Sequence, residues 1–332
     1  ERDMFKNGSI MQVGQVVKGI DRQMEILNRD FGLGPFDVHL FDERKVVDSM
    51  VRGKPSSHTY LCAACWSGGV QFELMQPLVG ESIYDEFMAK HGGEGLQHCK
   101  IYYDDVKGAL AAYEKKGYRV SQSGGIGEDL FYYLDTEAKT CGVTLEIGNA
   151  ASVPPPDRVY PLGSGGAPPF QKRPVRDGDI MQIGHVVRDI EKAMDTLYHD
   201  FGVGPFDVLT FTREKHKNPL TRGKPNDHTF RCAVAWSGDV QYELIQPLTG
   251  KSIYNEFLDA RGEGLHHLKF YYKDVKKAAA EQEAKGYSVL QSGGIGDDLY
   301  YYFDTAEKCA GIILEFGNAG KAPPPEYVYP AR

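Results

Sequence analysis

IMQVGQVVKGI at residues 10–20 returns as IMQIGHVVRDI at residues 180–190, and QFELMQP at residues 71–77 returns as QYELIQP at residues 241–247. The offset is 170 throughout this stretch, and after a single deletion near Lys90 it becomes 169. GEGLQHCKIYYDDV at residues 93–106 is therefore answered by GEGLHHLKFYYKDV at residues 262–275. A repeat this complete means that the chain folds as two copies of one unit. A residue matched in both copies was retained by two separate pieces of chain.

The 332 residues, 41% of them AVILMFWYC, can fill two cores. The stretch 150–178 holds PPP, GSGG and APPF, too rich in Pro and Gly for the interior of an element. Its first part, VPPPDRVYP at residues 153–161, recurs as APPPEYVYP at residues 322–330, so each copy ends in its own extended strap. The expected organisation is a domain over 1–161, a linker over 162–178 and a second domain over 179–332.

A formal charge of −8 with no Lys/Arg run argues against nucleic acid or an anionic membrane as partner. No apolar stretch has the length of a membrane span and no signal-peptide pattern opens the sequence, so a cytoplasmic protein, monomeric or homodimeric, is expected. The six cysteines are mostly unmatched between copies and form no disulfide framework. Cys62 and Cys65 have CxxC spacing, but Ala235 answers Cys65 in the second copy, and the pair reads as packing.

Within the first copy a strand-like stretch leads into a helix with Ile20, Met24, Leu27 and Phe31 at helical spacing, stopped by GLGP at residues 32–35, and three strands follow. The second half of the copy repeats this plan, with a helix through Val106, Leu110 and Tyr113 closed by Gly117. Each copy is therefore a pair of βαβββ modules, four in the chain, and the fold class is α+β.

Internal symmetry fixes the register of the polar residues. His267 stands seven residues before Asp274, as Gln182 stands before Asp189, His98 before Asp105 and Gln12 before Gly19. These four occupy equivalent first-strand positions. The last strands contribute Glu73, Glu146, Glu243 and Glu315, each in an apolar setting where a carboxylate is costly without a cation or a hydrogen-bonding partner. Each copy thus offers Gln, Glu, His and Glu, a donor set suited to a divalent ion such as Zn, Ni, Co, Mn or Fe. His185 and His266 are set aside because parity turns them to the opposite face of their strands.

Hairpin arithmetic extends the site. A two-residue turn at Gly68 and Gly69 pairs Trp66 with Gln71, Ala64 with Glu73 and Cys62 with Met75. His58, Tyr60 and Cys62 then share the face of Glu73, as His228, Phe230 and Cys232 share that of Glu243, which makes His58 and His228 acid/base candidates. SGGIG at residues 123–127 and 292–296 precedes a strand rather than a helix and reads as a loop, not a phosphate cradle. The paired tyrosines Tyr132–Tyr133 and Tyr301–Tyr302 alternate across their strands and favour an aromatic or bulky apolar substrate.

The first-strand spacing, GLHHL before YYKD, ELIQPL, the GVGPF stop and the terminal ILEFGN together resemble the vicinal oxygen chelate superfamily, close to its methylmalonyl-CoA epimerases and glyoxalases I. The resemblance spans nearly the whole chain apart from linker and tails. It implies a cupped eight-stranded mixed sheet per domain with a divalent metal on the concave face, held at the positions of Gln12, Glu73, His98 and Glu146, and of Gln182, Glu243, His267 and Glu315. Epimerases of the family carry a second catalytic Glu where Cys62 and Cys232 stand, a departure that puts a two-base epimerisation in doubt. The expected activity is that of a metal-dependent isomerase, epimerase or lyase acting on a small-molecule carbonyl substrate. The metal serves as Lewis acid towards the carbonyl or enolate oxygen, and Glu146 or Glu315 serves as base. The alternatives are a ring-cleaving dioxygenase of the extradiol kind and a small-molecule-binding protein without catalysis.

Overall fold

The structure, a computed structural model, describes residues 5–331. Two compact units divide between Lys172 and Arg173, inside the linker read from the sequence.

The N-terminal unit runs β1 (Ile10–Val16), α1 (Ile20–Phe31), β2 (Phe36–Phe41), β3 (Val47–Val51), β4 (Lys54–Pro55), β5 (Thr59–Ser67), β6 (Val70–Val79), α2 (Ile83–Lys90), β7 (Gly95–Tyr102), α3 (Val106–Lys115), β8 (Val120–Ile126), β9 (Asp129–Leu134), β10 (Thr144–Gly148) and β11 (Arg158–Tyr160). Helix α1 buries the stripe Ile20, Met24, Leu27 and Phe31 and ends where Gly32 takes the left-handed conformation, its N–H reaching the carbonyls of Leu27 and Asn28. Helix α2, which periodicity did not reveal, is announced by a capping box in which Ser82 and Asp85 satisfy each other's backbone N–H groups.

All strands form one sheet in the order β11-β2-β5-β6-β1-β7-β10-β9-β8-β3-β4. The two βαβββ modules meet at the centre, where β1 and β7 run antiparallel. Each is flanked by the last strand of its own module in parallel, β6 beside β1 and β10 beside β7. This crossover carries a glutamate of each last strand, Glu73 of β6 and Glu146 of β10, beside the two first strands. The eight expected strands gain three. The strap residues of β11 pair with β2, and the connection after β2 folds back as the β3–β4 hairpin, turned by positive φ at Arg52 and Gly53 and hydrogen-bonded to β8. The C-terminal unit repeats this sheet from Ile180–Val186 to Tyr327–Tyr329, again with eleven strands.

The hairpin register is the one the turn required, with Trp66 opposite Gln71, Ala64 opposite Glu73 and Cys62 opposite Met75. SGGIG is a correction: residues 123–126 belong to strand β8, not to a loop. The glycines are there for space, since a Cβ on Gly124 would press on Val46 and Phe131 across the sheet face. All six cysteines are buried free thiols. No helix among the described residues is long and apolar enough to cross a membrane.

Gly14 and Gly184 sit opposite His98 and His267 in the central antiparallel pair, and a Cβ at either would fall within the imidazole ring itself. Gly14→Ala and Gly184→Ala are therefore expected to destabilise their units by about 1–3 kcal/mol through overpacking, measured as lower urea midpoints.

Candidate metal centre

The pairing of β6, β1, β7 and β10 sets four side chains on one face. Gly14 lies between Glu73 and His98, Gln12 lies between Gln71 and Lys100, and Glu146 lies beside Lys100. His98 Nε2 is 3.4 Å from Glu73 Oε2 and 3.6 Å from Glu146 Oε2. In the second copy His267 Nε2 is 3.3 Å from Glu243 Oε2 and 3.2 Å from Glu315 Oε2, and one donor atom from each of these three residues lies within 4.8 Å of the others. Gln12 and Gln182 donate their amide N–H to Gln71 Oε1 and Gln241 Oε1 at 2.6 Å, which leaves each carbonyl oxygen as an acceptor. Six of the eight residues named from the sequence thus meet in two matched clusters, Glu73, His98 and Glu146 and Glu243, His267 and Glu315, while Gln12 and Gln182 lie on the adjacent first strands, paired with Gln71 and Gln241.

Several inward atoms of these clusters have no hydrogen-bond partner beyond the imidazole–carboxylate contacts. They include His98 Nε2 and Glu146 Oε2 in the first copy, and Gln182 Oε1, Glu243 Oε2, His267 Nε2 and Glu315 Oε2 in the second. Buried acceptors without donors are costly, and a cation is what such a set accommodates. Charge points the same way. Around His98, Glu73, Glu146 and Asp129 face the single ammonium of Lys100, an excess of two negative charges that a divalent ion would cancel.

Lys100 and Lys269 were not singled out from the sequence. Lys100 Nζ lies 3.2 Å from Glu146 Oε1 and 3.6 Å from Asp129 Oδ2, and Lys269 Nζ lies 3.4 Å from Glu315 Oε1 and 3.7 Å from Asp298 Oδ2. Burial alone would strip both ammonium groups of their proton, yet the adjacent Asp and Glu carboxylates outweigh it and hold both above the ordinary lysine value. Gly148 and Gly317 make room for them, since a Cβ there would collide with the lysine stems. An HxK spacing on the first strand and an E-x-G ending on the last were the available signals.

His266, set aside by parity, and its counterpart Gln97 hold the ligand-type imidazoles in place. Gln97 Oε1 lies 3.0 Å from His98 Nδ1, and His266 Nδ1 lies 3.0 Å from His267 Nδ1. A hydrogen bond at Nδ1 fixes the ring with Nε2 towards the glutamates. Burial pushes His267 down, but its hydrogen bonds to Glu243 and Glu315, and after them the charges of these carboxylates, prevail and raise it to about 9. Burial drives Glu146 above the usual carboxylate range, whereas Lys269 and the His267 ring bring Glu315 below it despite burial. His185 meets Tyr242 on the other face, with 2.9 Å from Nδ1 to the phenol oxygen.

Cys62 Sγ donates to Glu73 Oε1 at 3.2 Å and Cys232 Sγ donates to Glu243 Oε1 at 3.0 Å. Burial, reinforced by these glutamates, pushes both thiols well up, so they stay protonated. His58 and His228 are buried at the start of their strands and stack on Tyr60 and Phe230. His58 has Ser56 Oγ at 3.1 Å from Nδ1, whereas neither ring nitrogen of His228 has a partner. His228 packs against His216, the counterpart of Val46, whose Nε2 meets Tyr300 OH at 2.5 Å.

The match to known proteins follows from this geometry. The family model described as the Glyoxalase/Bleomycin resistance protein/Dioxygenase superfamily matches residues 11–133 and again residues 181–303. The chain belongs to that superfamily. No curated protein matches it. Among solved structures, it is similar to a triple mutant of 4-hydroxymandelate synthase from Streptomyces coelicolor, with 13% identity, a TM-score of 0.64, and coverage of 95% of this chain and 93% of that one. A xylose isomerase-like TIM barrel/4-hydroxyphenylpyruvate dioxygenase fusion protein aligns over 96% of this chain and 50% of its own, with 13% identity and a TM-score of 0.54. The Mn(II)-bound glyoxalase from Novosphingobium aromaticivorans aligns over 96% of this chain and 84% of its own, at 13% identity and a TM-score of 0.49.

Burial, aided by His216, lowers His228 from 6.5 to about 4. The fold thus favours neutral imidazole, so this contribution to stability is complete above pH 6.5 and is lost as the pH falls towards 4. His228→Gln should lose less stability than the parent between about pH 7 and about pH 5 in urea titrations.

Proposed function

We propose that each copy binds one divalent ion, of the series Zn, Ni, Co, Mn and Fe, through Gln12, Glu73, His98 and Glu146 or through Gln182, Glu243, His267 and Glu315. We further propose that the protein is an isomerase, epimerase or lyase moving a proton beside the carbonyl of an aromatic or bulky apolar substrate. The observation that carries this reading is the convergence of two carboxylates on one buried imidazole in both copies, with no other hydrogen-bond partner for Glu146 Oε2 in the first copy or for Glu243 Oε2 and Glu315 Oε2 in the second.

Bound there, the ion would supply a Lewis acid that polarises the substrate carbonyl. The protein supplies the rest. Glu146 and Glu315 are the proposed bases; each has one oxygen towards its lysine and one towards its histidine, and the inward oxygen, when loosened from the ion, would be free to take a proton from a C–H placed over it. Lys100 and Lys269 hold these carboxylates in position through the outer oxygen. Gln97 and His266 keep each imidazole from rotating. His58 and His228 contact Tyr60 and Phe230 rather than the carboxylate cluster, and they are reserved for a later proton return.

A ring-cleaving dioxygenase is the rival reading. The usual open iron site of oxygenases takes two imidazoles and one carboxylate, whereas each cluster here supplies one imidazole and two carboxylates. The test is a panel of aromatic and branched ketones, incubated with the metal-loaded protein in deuterated water without oxygen. Deuterium is expected at the carbon beside the carbonyl. Glu146→Gln together with Glu315→Gln should slow exchange by roughly 10²–10⁴-fold. Turnover that requires oxygen and opens an aromatic ring would contradict the proposal.

A further inference from the structure

The cup of the N-terminal unit encloses a cavity of about 440 Å³, with Gln12, Glu73 and Lys100 on its strand side. Its opposite side is not made of strands. Ala167, Pro168, Pro169 and Phe170, from the stretch read as a linker, cross the mouth. They are anchored: the Ala167 N–H donates to Asp37 Oδ1 at 2.9 Å, and Gly166, at φ +80°, lies so close to that carboxylate that a Cβ would collide with it. Phe170 packs on Trp66 at 4.9 Å between ring centroids and on Phe5 at 4.7 Å, while Phe5 stacks on Trp66 at 5.5 Å with 17° between planes. The mouth is therefore an aromatic roof above a polar floor.

The C-terminal unit has the same floor, and among the described residues no ring packs on the tryptophan at its mouth. Trp236, the counterpart of Trp66, is 58% exposed; Val175 stands where Phe5 stands and is 39% exposed; Asp207, the counterpart of Asp37, is exposed. The two cups thus differ at the mouth while agreeing at the cluster.

We infer that the N-terminal cup is a binding site for aryl ketones, with Trp66 and Phe170 selecting the aromatic ring and the linker segment 166–170 acting as its cover. This deepens the proposed function and rests on it only for the carbonyl end of the ligand. A planar ring of about phenyl size satisfies the apolar faces of the roof, the ketone oxygen reaches the floor, and a cavity of this volume admits a ligand of that size.

The two tryptophans of the chain report the two cups separately. With excitation selective for tryptophan over the tyrosines, Trp236→Phe protein reports Trp66 alone and Trp66→Phe protein reports Trp236 alone. Propiophenone, the probe, should quench Trp66 saturably and Trp236 only in proportion to its concentration. Phe170→Ala in the Trp236→Phe background should weaken binding about tenfold, the loss of one aromatic pair. Asp37→Ala, which frees the cover without altering a ring, should weaken it in the same direction and raise acrylamide quenching of Trp66. Saturable quenching of Trp236 as tight as that of Trp66, no saturable quenching of Trp66, or affinity unchanged by both Phe170→Ala and Asp37→Ala would overturn the inference. Repeating the titration in Glu146→Gln separates the two ideas, because binding under the roof persists there whether or not proton exchange is ever observed.

Discussion

Three buried or part-buried carboxylates around one ammonium, two of them facing the Nε2 of an imidazole, form the constraint from which each unit follows. Burying such charge is expensive, and replacing it by apolar side chains would be the simpler way to stabilise a sheet. The surroundings are arranged to tolerate it. Gly14 and Gly184 clear the space for the imidazoles, Gly148 and Gly317 clear it for the lysine stems, and Gln97 and His266 occupy each outer ring nitrogen. The central crossover is what brings strands from both modules beside each other, so neither βαβββ module alone contains the cluster.

The two copies keep this arrangement and diverge around it. His216 and Tyr300 form a buried polar pair where the first copy has Val46 and Phe131, over the same strand glycine. His228 loses the hydroxyl partner that His58 finds in Ser56, because Asn226 is engaged with Thr221 and the Lys251 carbonyl. The mouth is covered by aromatic rings in one unit and leaves Trp236 exposed in the other. Retention of the floor with change in the walls is what separate ligand preferences over a shared chemistry would produce.

Much of this was legible in the chain because the repeat acts as its own alignment. The shared spacing of His98 and Gln12 to the following helix, and the place of Glu73 and Glu146 on the last strands, picked out side chains on four adjacent strands, and a two-residue turn sufficed for the β5–β6 register. What escaped had weak local signals. Lys100 sits in a buried strand, where a lysine is read as a solvated end unless its partners Asp129 and Glu146 are known, and both lie far along the chain. The glycines of SGGIG suggested a loop because their reason, contact with Val46 and Phe131, is tertiary. Parity removed His266 from the ligand face but hid its hydrogen bond, and that of its counterpart Gln97, to the neighbouring ring, because these depend on side-chain direction rather than on strand alternation.

The central claim is that each cluster is a divalent-cation site built from oxygen and imidazole donors. A cobalt(II) titration of the metal-stripped protein, followed by visible absorption, tests it most directly. The account predicts one ion taken up by each copy, with ligand-field bands of nitrogen and oxygen coordination and no intense sulfur charge-transfer band, because Cys62 and Cys232 remain thiols bonded to Glu73 and Glu243. Absence of stoichiometric binding, or a strong thiolate band on binding, would contradict it.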